Sequence, residues 1–144
     1  MNIRRVNDTL AVAHQISVAD VAEIARQGFK SIVCNRPDGE APDQASYAAI
    51  EAAAKAAGLE VRWQPVVGAS MVDGDGVAFG RIIDELPKPV LAYCRTGTRC
   101  ISLWSLSQAG QQPVADILGT AMAAGYDLGG LAGRIDNLAR SRSA

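Results

Sequence analysis

The stretch Pro89-Val90-Leu91-Ala92-Tyr93-Cys94-Arg95-Thr96-Gly97-Thr98-Arg99-Cys100-Ile101-Ser102-Leu103-Trp104 constrains the fold more than any other part of the chain. Val90 to Tyr93 is a short apolar run, and Ile101, Leu103, Trp104 and Leu106 follow at helical spacing, which predicts a buried strand, a tight loop and a helix start. Cys94 then stands at the carboxyl end of a strand, where ligands bind in open α/β sheets. If the backbone from Arg95 to Arg99 curls round a centre, its N–H groups converge as an anion-binding nest at a helix N-terminus. Gly97 supplies the positive φ that such a curl needs. A thiol facing that field ionises below its free value of about 8.5. Cys94 is therefore the candidate nucleophile, and Arg99 a planar fork for two oxygens of a bound oxyanion. Arg95 offers a second cation, and Thr96 and Thr98 offer hydroxyls to the sulfur or the ligand. Taken alone, Cys94 also suits a buried structural thiol. Arg99 tips the balance, because a cation at a helix N-terminus opposes the dipole unless an anion lies between them.

The remaining chain reads as the scaffold for this loop. Ile3 to Val6 and Leu10 to Ala13 flank an Asn7-Asp8 turn, as in an edge hairpin. His14 follows, with a surface role favoured and no motif pairing it to Cys94. Ser17 is placed to cap a helix through Gln27, with Asp20 in its first turn, Val18, Val21 and Ala25 inward, and Gly28 as stop. Lys30 to Cys34 is a second buried strand, ending in the polar motif Asn35-Arg36-Pro37-Asp38-Gly39-Glu40. In a parallel sheet this motif opens on the same rim as Cys94, so Arg36 or Asp38 contacts substrate or orders the neighbouring loop; a plain Pro-Asp-Gly turn is the alternative.

Ala45 to Ala57 is a helix with Tyr47, Ile50 and Ala54 on one face, and Leu59 to Gln64 an alternating strand whose Trp63 is expected in the core. Residues 65–76 read as a loop, followed by a helix marked by Phe79, Ile82, Ile83 and Leu86. Either Asp73 or Asp75 suits a helix N-cap, the favoured reading. Three helices complete the chain, Cys100 to Ala109, Val114 to Ala124 and Leu128 to Arg140, forming a cluster on one sheet face, with residues 141–144 frayed. Cys34 and Cys100 are candidate resolving thiols for an oxidised or persulfidated Cys94, or else small buried fillers.

These elements predict an α/β fold of three layers, a mainly parallel central sheet with flanking helices, in a single domain over residues 1–144. Its 14 Lys and Arg against 15 Asp and Glu give a net charge of −1 with no basic run, which excludes an electrostatic footprint for nucleic acid. No stretch is long and apolar enough to span a bilayer or form a signal peptide, so a cytoplasmic location with reduced cysteines is expected. With one histidine and no Cys-x2-Cys pair, neither a metal site nor a cofactor is expected.

The Cys-x4-Arg spacing from Cys94 to Arg99 resembles the loops of rhodaneses and, one residue shorter and with Tyr93 where they carry histidine, those of tyrosine and dual-specificity phosphatases. Together with Asn35-Arg36-Pro37-Asp38-Gly39-Glu40, the string Pro-Val-Leu-Ala-Tyr-Cys-Arg-Thr-Gly-Thr-Arg resembles the phosphatase-like domain of β-lactamase-hydrolase-like proteins, over roughly the first three-quarters of the chain. That resemblance implies a tyrosine-phosphatase-like fold, phosphatase or sulfurtransferase activity, and a persulfide dioxygenase as a partner. The resemblance to phosphatases also implies a general-acid role for Asp73 or Asp75, as the alternative to capping. The shorter loop has one N–H fewer and a tighter ring, better suited to a sulfur carried on the cysteine. The leading expectation is therefore a sulfurtransferase moving sulfane sulfur from thiosulfate or a small persulfide through a Cys94 persulfide. The alternatives are a phosphatase acting on aryl or tyrosine phosphate esters through a phosphocysteine, and a non-catalytic redox or anion sensor.

Overall fold

The structure, a computed structural model, describes residues 1–143. Five strands, β1 (Ile3–Arg5), β2 (Leu10–Ala13), β3 (Ser31–Cys34), β4 (Glu60–Trp63) and β5 (Val90–Tyr93), form one sheet in the order β1-β2-β5-β3-β4. Only β1 runs antiparallel, joined to β2 by a turn in which the Asn7 side-chain oxygen accepts from the backbone N–H groups of Thr9 and Leu10, each at 2.9 Å. β2, β3 and β5 are buried at every residue, as expected of strands covered on both faces. β5 lies in the middle, with Val90 to Tyr93 in register with Leu10 to Ala13 on one side and Ser31 to Cys34 on the other.

Six helices cover the sheet: α1 (Val18–Arg26), α2 (Tyr47–Ala56), α3 (Asp73–Glu85), α4 (Thr98–Ser107), α5 (Val114–Ala123) and α6 (Ala132–Ser143). Alternation along each strand splits the core in two. Ile32, Leu91 and Tyr93 pack with Ile24 of α1 and Ile50 of α2, whereas Val12, Val33 and Ala92 pack with Phe79 of α3, Leu103 of α4, Ile117 of α5 and Ile135 of α6. The fold is thus three layers, with the C-terminal helices on one face as the sequence predicts.

Two contacts fix the helices that matter most to the loop. Ser17 and Asp20 close a reciprocal capping box on α1, the Asp20 N–H donating to Ser17 Oγ at 3.2 Å and the Ser17 N–H to Asp20 Oδ2 at 2.8 Å. On α3, Gly76 and Gly80 lie one turn apart against α4. A Cβ at Gly80 would lie 3.0 Å from Ser107 Cβ, and one at Gly76 would overlap Leu106 Cβ, so the two helices approach as closely as they do only because both positions are bare.

Four details differ from the sequence reading. Val18 is 47% exposed and Ile24 takes the inward place, because the apolar stripe of α1 is centred one turn later. α3 begins at Asp73, inside the segment read as a loop; Gly74 and Gly76 disguise its first turn, which packing against α4 stabilises. Trp63 is not core: it is 41% exposed on edge strand β4, stacked on Tyr47 with centroids 4.8 Å apart, its indole N–H donating to Arg36 O at 3.1 Å. The terminal segment read as frayed continues α6 through Ser143, and Ala144 lies outside the described residues. Among the described residues no helix is long and apolar enough to cross a membrane.

Candidate active site

The loop leaves the central strand at Cys94, whose N–H donates to Ala13 O at 3.4 Å and whose side chain is only 1% exposed. Gly97, at φ 88°, turns the chain into α4 and directs its N–H at Cys94 Sγ, 3.1 Å away. The Cys100 thiol, one turn into α4, acts most strongly on the Cys94 sulfur, and backbone N–H groups of Cys100, Thr96 and Arg99 add to it; burial opposes them. The balance holds Cys94 down to about 5. At pH 7 the thiolate therefore outweighs the thiol by about a hundred to one. Cys100 carries the reciprocal effect, its own thiol pushed up by complete burial and by the neighbouring sulfur. Tyr126 closes the outer side, its hydroxyl donating to Thr96 O at 2.8 Å. Gly97 passes directly beneath that hydroxyl, where any Cβ would collide with it.

Arg99 is held by a carboxylate. Its Nη1 and Nη2 donate to Glu40 Oε2 and Oε1, both at 2.8 Å, and Nη1 also donates to Val66 O at 3.0 Å. The end of the guanidinium fork is thereby spent, while the Nε–H edge has no acceptor among the described residues. That edge offers two parallel donors for an oxyanion. The Cys94 charge in turn helps raise the Arg99 pKa, after the stronger effect of Glu40. Glu40 also accepts from Arg36 Nε at 2.8 Å, and these pairings, with Arg99 dominant, hold its carboxyl down to about 2. Arg36 is 5% exposed and donates through Nη1 to Gln15 Oε1 at 3.1 Å. Arg36, Glu40, Ala41, Gly68, Arg95 and Arg99 line a cavity of about 490 Å³ beside the loop.

The structure thus brings Cys94, Gly97, Arg99, Arg95, Arg36 and Cys100 to one place, with Thr96 and Thr98 in the same loop, and engages Asp38, Asp73, Asp75 and Cys34 in other contacts. The Thr96 and Thr98 hydroxyls pair with each other at 3.0 Å. Asp38 accepts the Tyr47 N–H at 2.8 Å, satisfying a free donor at the start of α2. Asp73 accepts from Arg134 Nε at 3.2 Å and Nη2 at 3.0 Å, and Asp75 Oδ2 accepts the Val72 N–H at 2.9 Å. Both candidate acids are therefore engaged at the start of α3, Asp73 in an ion pair with Arg134 and Asp75 on the backbone N–H of Val72, which takes the N-cap position expected of an aspartate. Cys34, a candidate resolving thiol or else a buried filler, packs in the core on the opposite sheet face from Cys94, its thiol donating to Arg36 O at 3.3 Å, which fits the filler role. His14 sits at the surface, Nε2 3.4 Å from Asn2 Nδ2. Glu40 and Tyr126 are the site residues that sequence reasoning passes over. Glu40 had one signal, an acid four residues after Arg36 in a loop expected to face Cys94; Tyr126 had none.

A family model described as the phosphatase-like domain of beta-lactamase hydrolase-like protein matches residues 2–111. The beta-lactamase hydrolase-like protein of Xylella fastidiosa (strain Temecula1) is 37% identical over 131 residues, which cover 90% of this chain and 30% of that protein, so the chain spans less than a third of its relative's length. A candidate phosphatase (nma1982) of Neisseria meningitidis Z2491 has a crystal structure that superposes with TM-score 0.86 at 38% identity, covering 96% of this chain and 99% of that one. The structure of Tk-PTP in its active form shares the fold at TM-score 0.76 and 17% identity, covering 97% of both chains. By its sequence match and its fold, the chain belongs to the phosphatase-like domain family of the beta-lactamase hydrolase-like proteins.

Proposed function

We propose that the chain is a cysteine-dependent phosphatase for small phosphate esters or anhydrides with good leaving groups. The observation that carries the reading is the Cys94 sulfur, held as a thiolate by a ring of donors at the N-terminus of α4 and flanked by a guanidinium with one edge unused. The thiolate attacks phosphorus, the bond from phosphorus to the leaving oxygen breaks, and its electron pair departs with that oxygen. The loop N–H groups and Arg99 stabilise the charge on the three remaining phosphoryl oxygens. Water then attacks the phosphocysteine, the sulfur–phosphorus bond breaks, and inorganic phosphate leaves with the thiolate restored. With Asp73 and Asp75 engaged at α3, protonation of a poor leaving group has no assigned donor, which is why activated leaving groups are favoured. The descriptions of similar proteins also favour phosphoryl chemistry over the sulfur transfer expected from the short loop.

Sulfur transfer stays as a second reading on one observation, that same engagement of both acids, since attack on thiosulfate expels sulfite without needing a proton. One pair of assays separates the two. Purified protein is given an aryl phosphate, or thiosulfate with cyanide, each with Cys94→Ser as control, and its intact mass is followed. Cys94-dependent phosphate release with no stable gain of sulfur supports the phosphatase. A gain of one sulfur mapped to Cys94, with thiocyanate formed and the aryl phosphate untouched, reverses the order.

A further inference from the structure

We propose that the cavity beside the Cys94 loop receives a second anionic group of the substrate, a phosphate or carboxylate held by Arg36 and Arg95, and so selects small molecules carrying two negative groups. The inference rests on the reading of Cys94 and Arg99 as the primary oxyanion site, and it adds the class of molecule that site accepts.

The donors are the first argument. Three guanidiniums and one carboxylate face the same cavity, so cations exceed anions there even with the Glu40 charge fully developed. Arg36 commits Nε to Glu40 and Nη1 to Gln15, leaving Nη2 without an acceptor, and the Arg95 guanidinium has none at all among the described residues. Arg36 is also 95% buried and pinned from two sides, so the cost of ordering it is already met before a ligand arrives. A ligand oxygen there would meet a fixed fork, backed by an exposed cation at the rim.

Shape and lining are the second argument. The cavity of about 490 Å³ falls within the usual range of about 300–1,000 Å³ for small-molecule sites, far more than one phosphoryl group fills. Its wall carries no aromatic side chain; Trp63, whose indole N–H donates to Arg36 O, stacks on Tyr47. A phosphotyrosine ring would find only Ala41 as an apolar surface, whereas a second phosphate or carboxylate would find two charged donors. An anhydride or bisphosphate also brings a leaving group that departs without a proton, consistent with the absence of a free acid.

The test is binding of non-hydrolysable probes at fixed ionic strength, followed by calorimetry: methylphosphonate with one anionic group, methylenebisphosphonate and phosphonoacetate with two. Wild-type protein is expected to bind at least one two-anion probe about tenfold or more tightly than methylphosphonate. That ratio should fall towards one in Arg95→Ala and in Arg36→Met, and hold in Arg140→Ala, a distant charge control. The contrast between phosphonoacetate and methylenebisphosphonate tells carboxylate from phosphate. Should Arg36→Met fail to fold, the exposed Arg95→Ala carries the test alone. Equal affinity for one- and two-anion probes overturns the second site while leaving the first intact, as does a ratio unmoved by Arg95→Ala or tighter binding of a phosphotyrosine peptide. Failure of all three probes to bind overturns both readings together.

Discussion

Cys94 owes its reactivity to neighbours that are themselves poor acids. The buried Cys100 thiol keeps its proton and favours charge on the sulfur beside it, so one cysteine is neutral because the other is charged. Alkylation of Cys94 by iodoacetamide is accordingly expected to titrate with a midpoint near 5, and Cys100→Ala should move that midpoint up towards the ordinary thiol range; mass mapping of the labelled site against pH measures both. Arg99→Ala should lower kcat/KM for an aryl phosphate by about a hundredfold, as for loss of an oxyanion donor, read from initial rates. Gly97→Ala meets two obstacles, a φ of 88° and the Tyr126 hydroxyl, and is expected to destabilise the protein by about 1–3 kcal/mol in urea unfolding. Adding Tyr126→Phe should recover only the steric part. Cys94, Gly97 and Arg99 could be read from the sequence because their spacing within one short loop encodes their geometry. Tyr126, thirty positions from Thr96, meets it only through the packing of α5, which no local pattern records.

Among the elements, the loop after β3 does more than line the rim. Glu40 ties Arg36 of its own loop to Arg99 of α4, 59 positions away, and so sets which edge of that guanidinium stays free. Glu40→Gln should cut kcat/KM about tenfold by loosening Arg99, and Glu40→Asp should restore part of it, a split that a purely structural role would not give. Because folding lowers the Glu40 pKa, its stabilisation is fully present above the ordinary carboxylate value and is lost as pH falls from about 4.5 towards about 2. Urea unfolding across that window should show a steeper decline for wild type than for Glu40→Gln. Strands and helices were largely legible from apolar periodicity, since each buries one stripe or one run. The exceptions sit where tertiary contact overrides local preference: the glycine-rich first turn of α3, and Trp63, drawn to an edge by Tyr47 and the Arg36 carbonyl.

For the molecule as a whole, the sheet order was only partly predictable. A parallel sheet with an edge hairpin follows from the pattern, but the placement of β5 between β2 and β3 is a topological choice that strand sequences do not carry. The family match stops at residue 111, yet Ile117, Ala121 and Ile135 of α5 and α6 are fully buried against the α3 and α4 side of the sheet. Ending the chain after residue 111 is therefore expected to uncover that layer and abolish cooperative thermal unfolding, checked by calorimetry against the full chain. The nucleophile hangs from the middle strand, flanked by two parallel neighbours and roofed on both sides by helices. Amide protons of Leu91 and Ala92 should consequently be among the last to exchange with deuterium, and slow fluctuations at the ends of the chain should leave the sulfur's surroundings undisturbed until the entire sheet gives way.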